Sequence, residues 1–198
     1  MIVLLDTSEN LDVCASELGC QVEQLLTPLT RFKRQQPDKR FAIDNGAFAG
    51  FNVGGFMALL QRESESKELC RFVVAPDVVG SARRTSEVFH LWKERLSGWP
   101  LALAAQDGIE QVDIPWTDIA AIFIGGTTEF KLSREAVAVI RAAQALGKWT
   151  HVGRVNTPAR FEKFEALGVD SIDGTGLSRY SHMRERIYAE QTQPNLLT

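Results

Sequence analysis

Four aspartates in this sequence each follow a short apolar segment, and this placement suggests nucleophilic or acid–base chemistry. They are Asp6, Asp44, Asp77 and Asp173. In parallel α/β proteins the loops after the strands converge on one face, and the reacting groups lie at that face. A single aspartate in such a position is usually a helix cap or a turn former, which is the simplest interpretation of Asp6. Four of them in one chain favour a shared site.

Two carboxylates in one partly buried pocket acquire different pKa values when their neighbours differ, so one stays ionised while the other carries a proton. This division suits displacement at the anomeric carbon of a sugar. One carboxylate attacks C1′ to form a glycosyl-enzyme ester, and a second group handles the proton of the leaving group. Water would resolve the ester in a hydrolase, and a second base would resolve it in a transglycosylase. Neither reaction needs a metal or a cofactor, although a carboxylate cluster could instead hold Mg²⁺ if several oxygens converge.

A second group of residues at predicted strand ends is suited to recognising a flat heterocycle. Asp77 can accept hydrogen bonds from paired N–H groups, and Gln106 can both donate and accept. Gly125 and Gly126 expose backbone N–H and C=O groups with no side chain in the way, although such a pair also occurs in plain tight turns. The set matches the amide-and-amine edge of guanine. Aromatic side chains that could stack on the base are Phe48, Phe51 and Tyr180.

These residues must be positioned by the elements between them. Short segments rich in β-branched residues alternate with longer amphipathic segments, which is typical of parallel strands joined by crossover helices. The predicted strands are Ile2–Leu5, Gln21–Leu26, Phe41–Ile43, Arg71–Ala75, Leu101–Ala105, Ala121–Ile124, Thr150–Val152 and Asp170–Ile172. The predicted helices are Ala82–Leu96, Arg134–Leu146 and Ala159–Leu167.

Eight strands predict a compact α/β fold, a (β/α)₈ TIM barrel in which residues 1–198 form a single domain. The length gives about 25 residues per strand–helix unit, which is near the lower limit for this fold, so some helices must be short or missing. An open doubly wound sheet is the alternative, but it would normally carry a glycine-rich turn after the first strand. The sequence has Asp6-Thr-Ser-Glu9 at that place.

Composition narrows the functional classes. With 22 basic and 25 acidic residues the net charge is −3, so the overall basic character that is typical of nucleic-acid binding is absent, although basic residues cluster locally. The three cysteines form no Cys-x-x-Cys pair and are expected to be reduced, buried thiols. No apolar run is long enough to span a membrane, and Asp6 interrupts the first apolar segment too early for a signal peptide. We therefore expect a cytoplasmic protein.

Five short motifs, each at the end of a predicted strand, resemble those of the tRNA-guanine transglycosylases in composition and order. The family motifs are Asp-Ser-Gly-Gly-Phe, a base-recognising aspartate, Val-Gln-Gly-Gly, Gly-Gly-Leu, and Gly-x-x-Thr-Pro followed by Leu-Gly-Val-Asp-x-Phe-Asp. Their counterparts here are Asp44-Asn-Gly-Ala-Phe48, Ala75-Pro-Asp77, Ala105-Gln-Asp-Gly108, Ile124-Gly-Gly126, and Val155-Asn-Thr-Pro158 followed by Leu167-Gly-Val-Asp-Ser-Ile-Asp173. The resemblance extends from about Phe41 to Arg179, which is most of the chain.

The resemblance implies a barrel that exchanges guanine for a 7-deazaguanine base by double displacement. Carried over position by position, it makes Asp173 the nucleophile and Asp44 the general acid and base. Asp77, Gln106 and Gly126 would then contact the incoming base. No cofactor is implied for this exchange.

The chain also departs from the tRNA enzymes. It contains no counterpart of their zinc-binding subdomain, and Gly153-Arg154 replaces a Met-Gly pair. In these features it is more similar to the compact DpdA-type DNA-guanine transglycosylases of phages and genomic islands. That similarity implies DNA as the partner, with tRNA as the less favoured substrate, and a base such as preQ0. Arg154 and Arg179 are the candidates for holding the flanking phosphates, or each could form a structural ion pair with a nearby aspartate.

Other functions stay open at this point. A small barrel enzyme acting on a phosphorylated metabolite would cradle the phosphate with Gly125, Gly126 and Gly153. A catalytically inactive module would bind a modified base without forming a covalent adduct, and a glycosidase would excise the base without exchange. The sequence leaves open whether an accessory protein opens the duplex and whether the chain forms a homodimer.

Overall fold

The computed structural model describes residues 1–192 and contains a closed barrel of eight parallel strands. The strands are β1 (Ile2–Leu5), β2 (Val22–Leu26), β3 (Phe41–Ile43), β4 (Cys70–Val74), β5 (Leu101–Ala105), β6 (Ala121–Ile124), β7 (Trp149–Val152) and β8 (Ser171–Asp173). Each strand pairs with the next in sequence, and β8 closes the barrel against β1 with Asp173 opposite Leu4. The predicted (β/α)₈ fold is confirmed, and each strand end lies within one residue of its predicted position.

Within residues 1–192, eight α-helices connect or follow the strands. They are α1 (Leu11–Leu18), α2 (Val53–Arg62), α3 (Ala82–Trp92), α4 (Thr128–Leu132), α5 (Arg134–Ala145), α6 (Pro158–Ala166), α7 (Thr175–Arg179) and α8 (Ser181–Thr192). The first predicted helix is too long, because its last residues form a 3₁₀ turn over Lys93–Leu96. The sequence did not predict five of these helices: α1, α2, α4, α7 and α8. Each of them is short, has a glycine pair in its first turn, or lacks a strong apolar stripe. No helix within residues 1–192 is long and apolar enough to cross a membrane.

The connection between β2 and β3 has no helix, as the short chain length led us to expect for some units. Residues 27–40 cover this side of the barrel and are held by the nearly buried Arg34. Its guanidinium donates to Glu63 at 2.9 Å and to Ser66 at 2.8 Å, and it lies 4.2 Å from the centroid of the Phe41 ring. An irregular segment held by such contacts replaces the missing helix without leaving β2 and β3 uncovered.

The inside of the barrel combines very small and large side chains, which lets the interior fill completely. The small ones are Ala42, Ala102, Ala104 and Ala121, and the large ones include Phe72, Phe123 and Trp149. At the amino-terminal end of the barrel, Arg71 forms a two-pronged ion pair with the buried Glu23 and lies 4.4 Å from the centroid of the Trp149 ring. This end is therefore closed, and only the carboxyl ends of the strands can open to substrate.

The buried side chain of Arg184 connects α8 to α1 and to the segment before it. Arg184 on α8 is fully buried and donates to Glu9 and Glu17, both at 2.5 Å, and to the Leu177 carbonyl at 2.6 Å. A buried guanidinium is stable only when its donors are satisfied, and these three acceptors satisfy it.

All three cysteines are free, as expected for a reduced protein. Cys14 and Cys70 are buried, whereas Cys20 is only half-buried because it lies just outside α1, which ends at the left-handed residue Gly19.

Candidate active site

A cavity of about 270 Å³ opens at the carboxyl ends of the strands, where the parallel architecture predicts a site. Nine of the residues singled out for a role in catalysis or binding line this cavity: Asp173, Asp44, Asp77, Gln106, Gly125, Gly126, Phe48, Arg154 and Arg179. Asp6 lines it as well. Strand closure brings these residues together from loops that are separated by most of the chain.

Asp173 is the last residue of β8, and both of its carboxylate oxygens accept hydrogen bonds. The backbone N–H of Arg154 lies 2.9 Å from Oδ1, and Nε2 of His151 lies 3.0 Å from Oδ2. The residue is 8% exposed and faces the cavity. An ionised carboxylate in this position is desolvated enough to react and is held in one orientation by two neighbouring groups.

The peptide bond between Gly153 and Arg154 connects Asp173 to a buried lysine. Its carbonyl accepts a hydrogen bond from Nζ of Lys131 at 2.6 Å, while its N–H donates to Asp173. Burial, together with the charge of Arg154, lowers the pKa of Lys131 to about 8. Arg154 has φ of 60°, an uncommon conformation for a residue other than glycine, and this conformation is maintained by its contacts in the site.

Asp44 follows β3 and favours its protonated form. Burial is the main cause, the nearby charge of Asp173 adds to it, and together they raise the pKa of Asp44 to about 7. The Gly46 N–H donates to Oδ1 at 3.3 Å and acts in the opposite direction. Near neutral pH, Asp44 can therefore both give and take a proton.

Asp77 lies at the centre of an amide network. Asn45 donates to one of its oxygens at 2.8 Å, and Gln106 donates to the other at 2.6 Å. Burial raises the pKa of Asp77, whereas these two donors and the charge of Arg154 oppose that rise. The Gln106 carbonyl in turn accepts from the Gly80 N–H at 2.9 Å. Both ends of the Gln106 amide are thus engaged within the protein, and this residue orients Asp77.

Two glycines after β6 are needed for space and for backbone conformation. A Cβ atom at Gly125 would lie 2.6 Å from the Gln106 amide nitrogen, so only glycine allows Gln106 to occupy its place. Gly126 has φ of 67°, and a Cβ atom there would lie 2.6 Å from an oxygen of Asp107. The Gly-Gly pair therefore shapes the wall of the cavity in addition to forming a turn.

We expect Gly125→Ala to lower the free energy of unfolding by about 1 to 3 kcal/mol, because the added methyl group displaces Gln106 and leaves Asp77 without one of its donors. Urea unfolding would measure this loss. Gly54→Ala in α2, where the new Cβ has no close contact, is the matched control. An unchanged free energy of unfolding in Gly125→Ala would contradict the ordering role of Gln106.

The mouth of the cavity carries an exposed aromatic ring and two arginines. Phe48 is 70% exposed, and the guanidinium of Arg154 lies 4.1 Å from the centroid of its ring. The same guanidinium donates to the Gly126 carbonyl. Neither Arg154 nor Arg179 forms a salt bridge within the part of the chain that the structure describes. Both remain candidates for binding an anionic group.

The other two aromatic candidates lie outside the cavity lining. Phe51 packs edge-on against Phe56 and Trp92, with ring centroids 5.6 and 5.5 Å away, so the prediction that it stacks on a base is wrong. Tyr180 is half-exposed and stacks on His182 next to α7. Sequence position alone could not separate a core aromatic residue from one at the mouth.

Asp6 makes the contacts of a residue that stabilises the fold. The hydroxyl groups of Thr30 and Thr27 donate to its two oxygens at 2.7 and 3.2 Å, and these contacts tie the end of β1 to the segment after β2. Burial raises the pKa of Asp6. This arrangement agrees with its interpretation as a turn-forming residue.

Sequence reasoning assigned no role to three residues that the structure places around the site, namely His151, Lys131 and Asn45. The sequence did contain a signal for His151. This residue lies on β7, two positions before Gly153, so the alternation of the strand places both residues on the same side of the sheet. Lys131 gave no signal, since a lysine in a short helix is usually exposed. Within residues 1–192, no group of three or more His, Cys, Asp or Glu side chains could hold a metal ion.

No protein-family model and no curated protein matches this sequence. Among solved structures, one described as "Native KDPGal structure" is 12% identical with a TM-score of 0.47, and the match covers 96% of this chain and 93% of that one. Phosphoribosyl anthranilate isomerase from Thermus thermophilus is 14% identical with a TM-score of 0.49, covering 96% and 97%. A PaMucR phosphodiesterase in complex with c-di-GMP is 20% identical with a TM-score of 0.44, covering 73% and 63%. At these values the likeness does not indicate a reaction.

Proposed function

We propose that this protein is a guanine transglycosylase that exchanges guanine in DNA for a 7-deazaguanine base such as preQ0. The observation that carries the proposal is the pairing of two unlike carboxylates in one cavity, beside an amide network suited to a purine edge. Asp173 accepts two hydrogen bonds that orient its carboxylate, and the pKa of Asp44 is about 7. The ordered motifs that resemble the tRNA-guanine transglycosylases add independent support.

In the first step, a carboxylate oxygen of Asp173 attacks C1′ of the target nucleotide. The bond between C1′ and N9 of guanine breaks, and its electron pair stays on the departing base. Protonated Asp44 supplies the proton that neutralises this base, and an ester between Asp173 and C1′ remains. The negative charge has then moved from Asp173, which is now an ester, to Asp44, which can accept a proton in the second step.

In the second step, the incoming 7-deazaguanine gives its N9 proton to Asp44 and attacks C1′ with the freed electron pair. The ester bond breaks, and its electrons return to the Asp173 carboxylate. The two donors that hold Asp173, the Arg154 N–H and His151, stabilise the charge that is restored. Both groups end in the protonation states in which they began.

Base selection is assigned to Asp77 and its neighbours. Each oxygen of this carboxylate accepts one amide donor and keeps a lone pair, so the two can accept from N1–H and the exocyclic amine of guanine. The backbone of Gly125 and Gly126 closes the opposite edge, and Phe48 is close enough to the cavity to stack on the base. Adenine lacks the N1–H donor and would leave an oxygen of Asp77 unpaired.

DNA is proposed as the substrate because the Gly153-Arg154 pair resembles the DNA-acting enzymes more than the tRNA-acting ones. The target base must leave the stack before C1′ can be reached. The mouth offers two arginines, Arg154 and Arg179, that can hold the flanking phosphates.

The experiment that tests the proposal measures incorporation of labelled guanine by the purified protein. Double-stranded DNA, single-stranded DNA and unmodified tRNA are compared, with Asp173→Ala as the control. Label that enters DNA only with the wild-type protein is the expected result. Label in tRNA would reassign the substrate, and label in neither would contradict transglycosylation.

A second candidate is an enzyme that acts on a small phosphorylated metabolite. The size of the cavity and the arginines in its wall favour it. Three N–H groups that could cradle a phosphate are already engaged, however: Gly125 donates to Ala105, Gly153 to Ile124, and Thr127 to Asp107. Inorganic phosphate that protects the cavity residues in NMR titration, without any exchange in the labelling assay, would favour this candidate.

A further inference from the structure

The residue that holds Oδ2 of Asp173 lies inside the barrel, beyond the reach of any substrate. His151 has no exposed surface, and its ring is packed between Phe72 and Phe123 at centroid distances of 5.1 and 4.8 Å. It is absent from the cavity lining, whereas Asp173 is part of it. Any effect of His151 on the reaction must therefore pass through Asp173.

A chain of hydrogen bonds fixes where the imidazole carries its proton. Trp149 Nε1, which can only donate, lies 2.8 Å from the hydroxyl oxygen of Ser171. That oxygen lies 2.8 Å from Nδ1 of His151, and Nε2 lies 3.0 Å from Asp173. An ionised Asp173 can only accept, so the proton of a neutral ring must be on Nε2. Nδ1 then accepts from the Ser171 hydroxyl, which keeps its other side for Trp149.

The surroundings of these hydrogen-bonded side chains indicate that they do more than fill the barrel interior. The barrel interior around it consists mainly of alanine and phenylalanine, and a polar group is costly to bury there unless every member is satisfied. All polar atoms of Trp149, Ser171 and His151 side chains have partners. This series of hydrogen bonds starts at Trp149 and ends at Asp173, the proposed nucleophile.

We propose that His151 is a positioning residue for Asp173, oriented by a relay through Ser171 and Trp149. The inference rests on the proposed function, in which Asp173 is the nucleophile. The Nε2–H group favours the ionised carboxylate before attack and stabilises it again when the ester breaks. Together with the Arg154 N–H on the other oxygen, it fixes the direction in which the carboxylate points.

The first test needs no activity. ¹⁵N NMR of histidine-labelled protein reports which ring nitrogen carries the proton, and the sequence has three histidines, of which His90 and His182 are exposed. We expect the buried ring to carry its proton on Nε2 and to have a bare Nδ1. Ser171→Ala removes the donor to Nδ1, so the signal of that bare nitrogen is expected to shift while the proton stays on Nε2. A wild-type ring with its proton on Nδ1 would overturn the relay.

The second test compares His151→Phe with His151→Gln in single-turnover formation of the DNA adduct. Phenylalanine keeps a ring in place but donates nothing, and we expect adduct formation to slow by about 10- to 100-fold with DNA binding unchanged. Glutamine retains an N–H donor and should recover most of the wild-type rate.

The outcomes separate this inference from the proposed function. A His151→Phe variant with the wild-type rate of adduct formation would overturn the positioning role. If that variant does not fold, equal rates for His151→Gln, Ser171→Ala and wild type, combined with an Nδ1–H ring, would overturn it as well. A wild-type protein that forms no adduct would contradict transglycosylation, while the tautomer measurement would still decide whether the relay orients Asp173.

Discussion

Asp173→Asn is expected to abolish the covalent adduct with DNA and to lower base exchange by at least about 10³-fold. Asparagine has the shape of aspartate, but its neutral amide cannot attack C1′ as an ionised carboxylate can. The side chain also has only one acceptor oxygen. Either His151 Nε2 or the Arg154 N–H would face an NH₂ group in its place, so the variant should also lose about 1 to 3 kcal/mol of stability.

Labelled oligonucleotide and a denaturing gel would detect the adduct, and thermal unfolding would measure the stability loss. Asp107→Asn is the matched control, because Asp107 lies close to the site but binds only Thr127 and does not line the cavity. It is expected to retain exchange. Wild-type exchange by Asp173→Asn would mean that another group attacks C1′.

Asp44→Asn is expected to stabilise the protein, and to do so more strongly as the pH rises. The pKa of Asp44 is raised from 3.8 to about 7, mainly by burial. Below pH 3.8 the carboxyl is protonated in both the folded and the unfolded state, so it costs nothing. As the pH rises toward 7, the unfolded chain ionises and the folded one does not, and stability is lost. The difference between variant and wild type should grow by about 2 kcal/mol between pH 5 and pH 8.

Urea unfolding of both proteins at the two pH values would measure this difference. Asp38→Asn, on the exposed segment between β2 and β3, controls for the loss of one negative charge. The variant should also lose the alkaline limb of the pH–rate profile near pH 7, because the group that carries the proton is gone. A stability difference that is independent of pH would show that Asp44 is not held protonated by burial.

Asp44 shares its raised pKa with a second carboxyl group of the site. Burial raises the pKa of Asp77 as well, so each of the two groups costs the fold stability near neutral pH. The barrel retains them at the carboxyl ends of its strands, while its opposite end is closed by the Arg71–Glu23 pair. The stabilising ion pair and the buried carboxyl groups of the cavity thus lie at opposite ends of the barrel.

The sequence contained enough information for the barrel and for the composition of its mouth. Short apolar segments, most of them with β-branched residues, marked all eight strands, and parallel strands necessarily bring the residues that follow them to one face. Asp44, Asp77, Gln106, Arg154 and Asp173 could therefore be assigned to a common site, where the structure places them. Their roles in catalysis and binding stay predictions.

Helices such as α1, α2 and α8 were not predictable, because their formation depends on tertiary contacts more than on local preference. The buried Arg184 illustrates this, since a charged residue in a polar stretch becomes core only when Glu9 and Glu17 surround it. Phe51 illustrates the converse, because it joined an aromatic cluster with Phe56 and Trp92 that no local pattern indicated.

By itself, therefore, the sequence determined which residues meet. The order of the strands along the chain and the alternation of their side chains can be read locally, and a closed parallel barrel places the residues after each strand at one end. Only the tertiary structure decided what each residue can do there. The proton preference of Asp44 depends on burial and on the charge of Asp173, and the hold on Asp173 depends on His151, which lies 22 residues away in sequence. Desolvation and hydrogen-bond geometry arise from the packing of distant segments, so no local pattern can encode them.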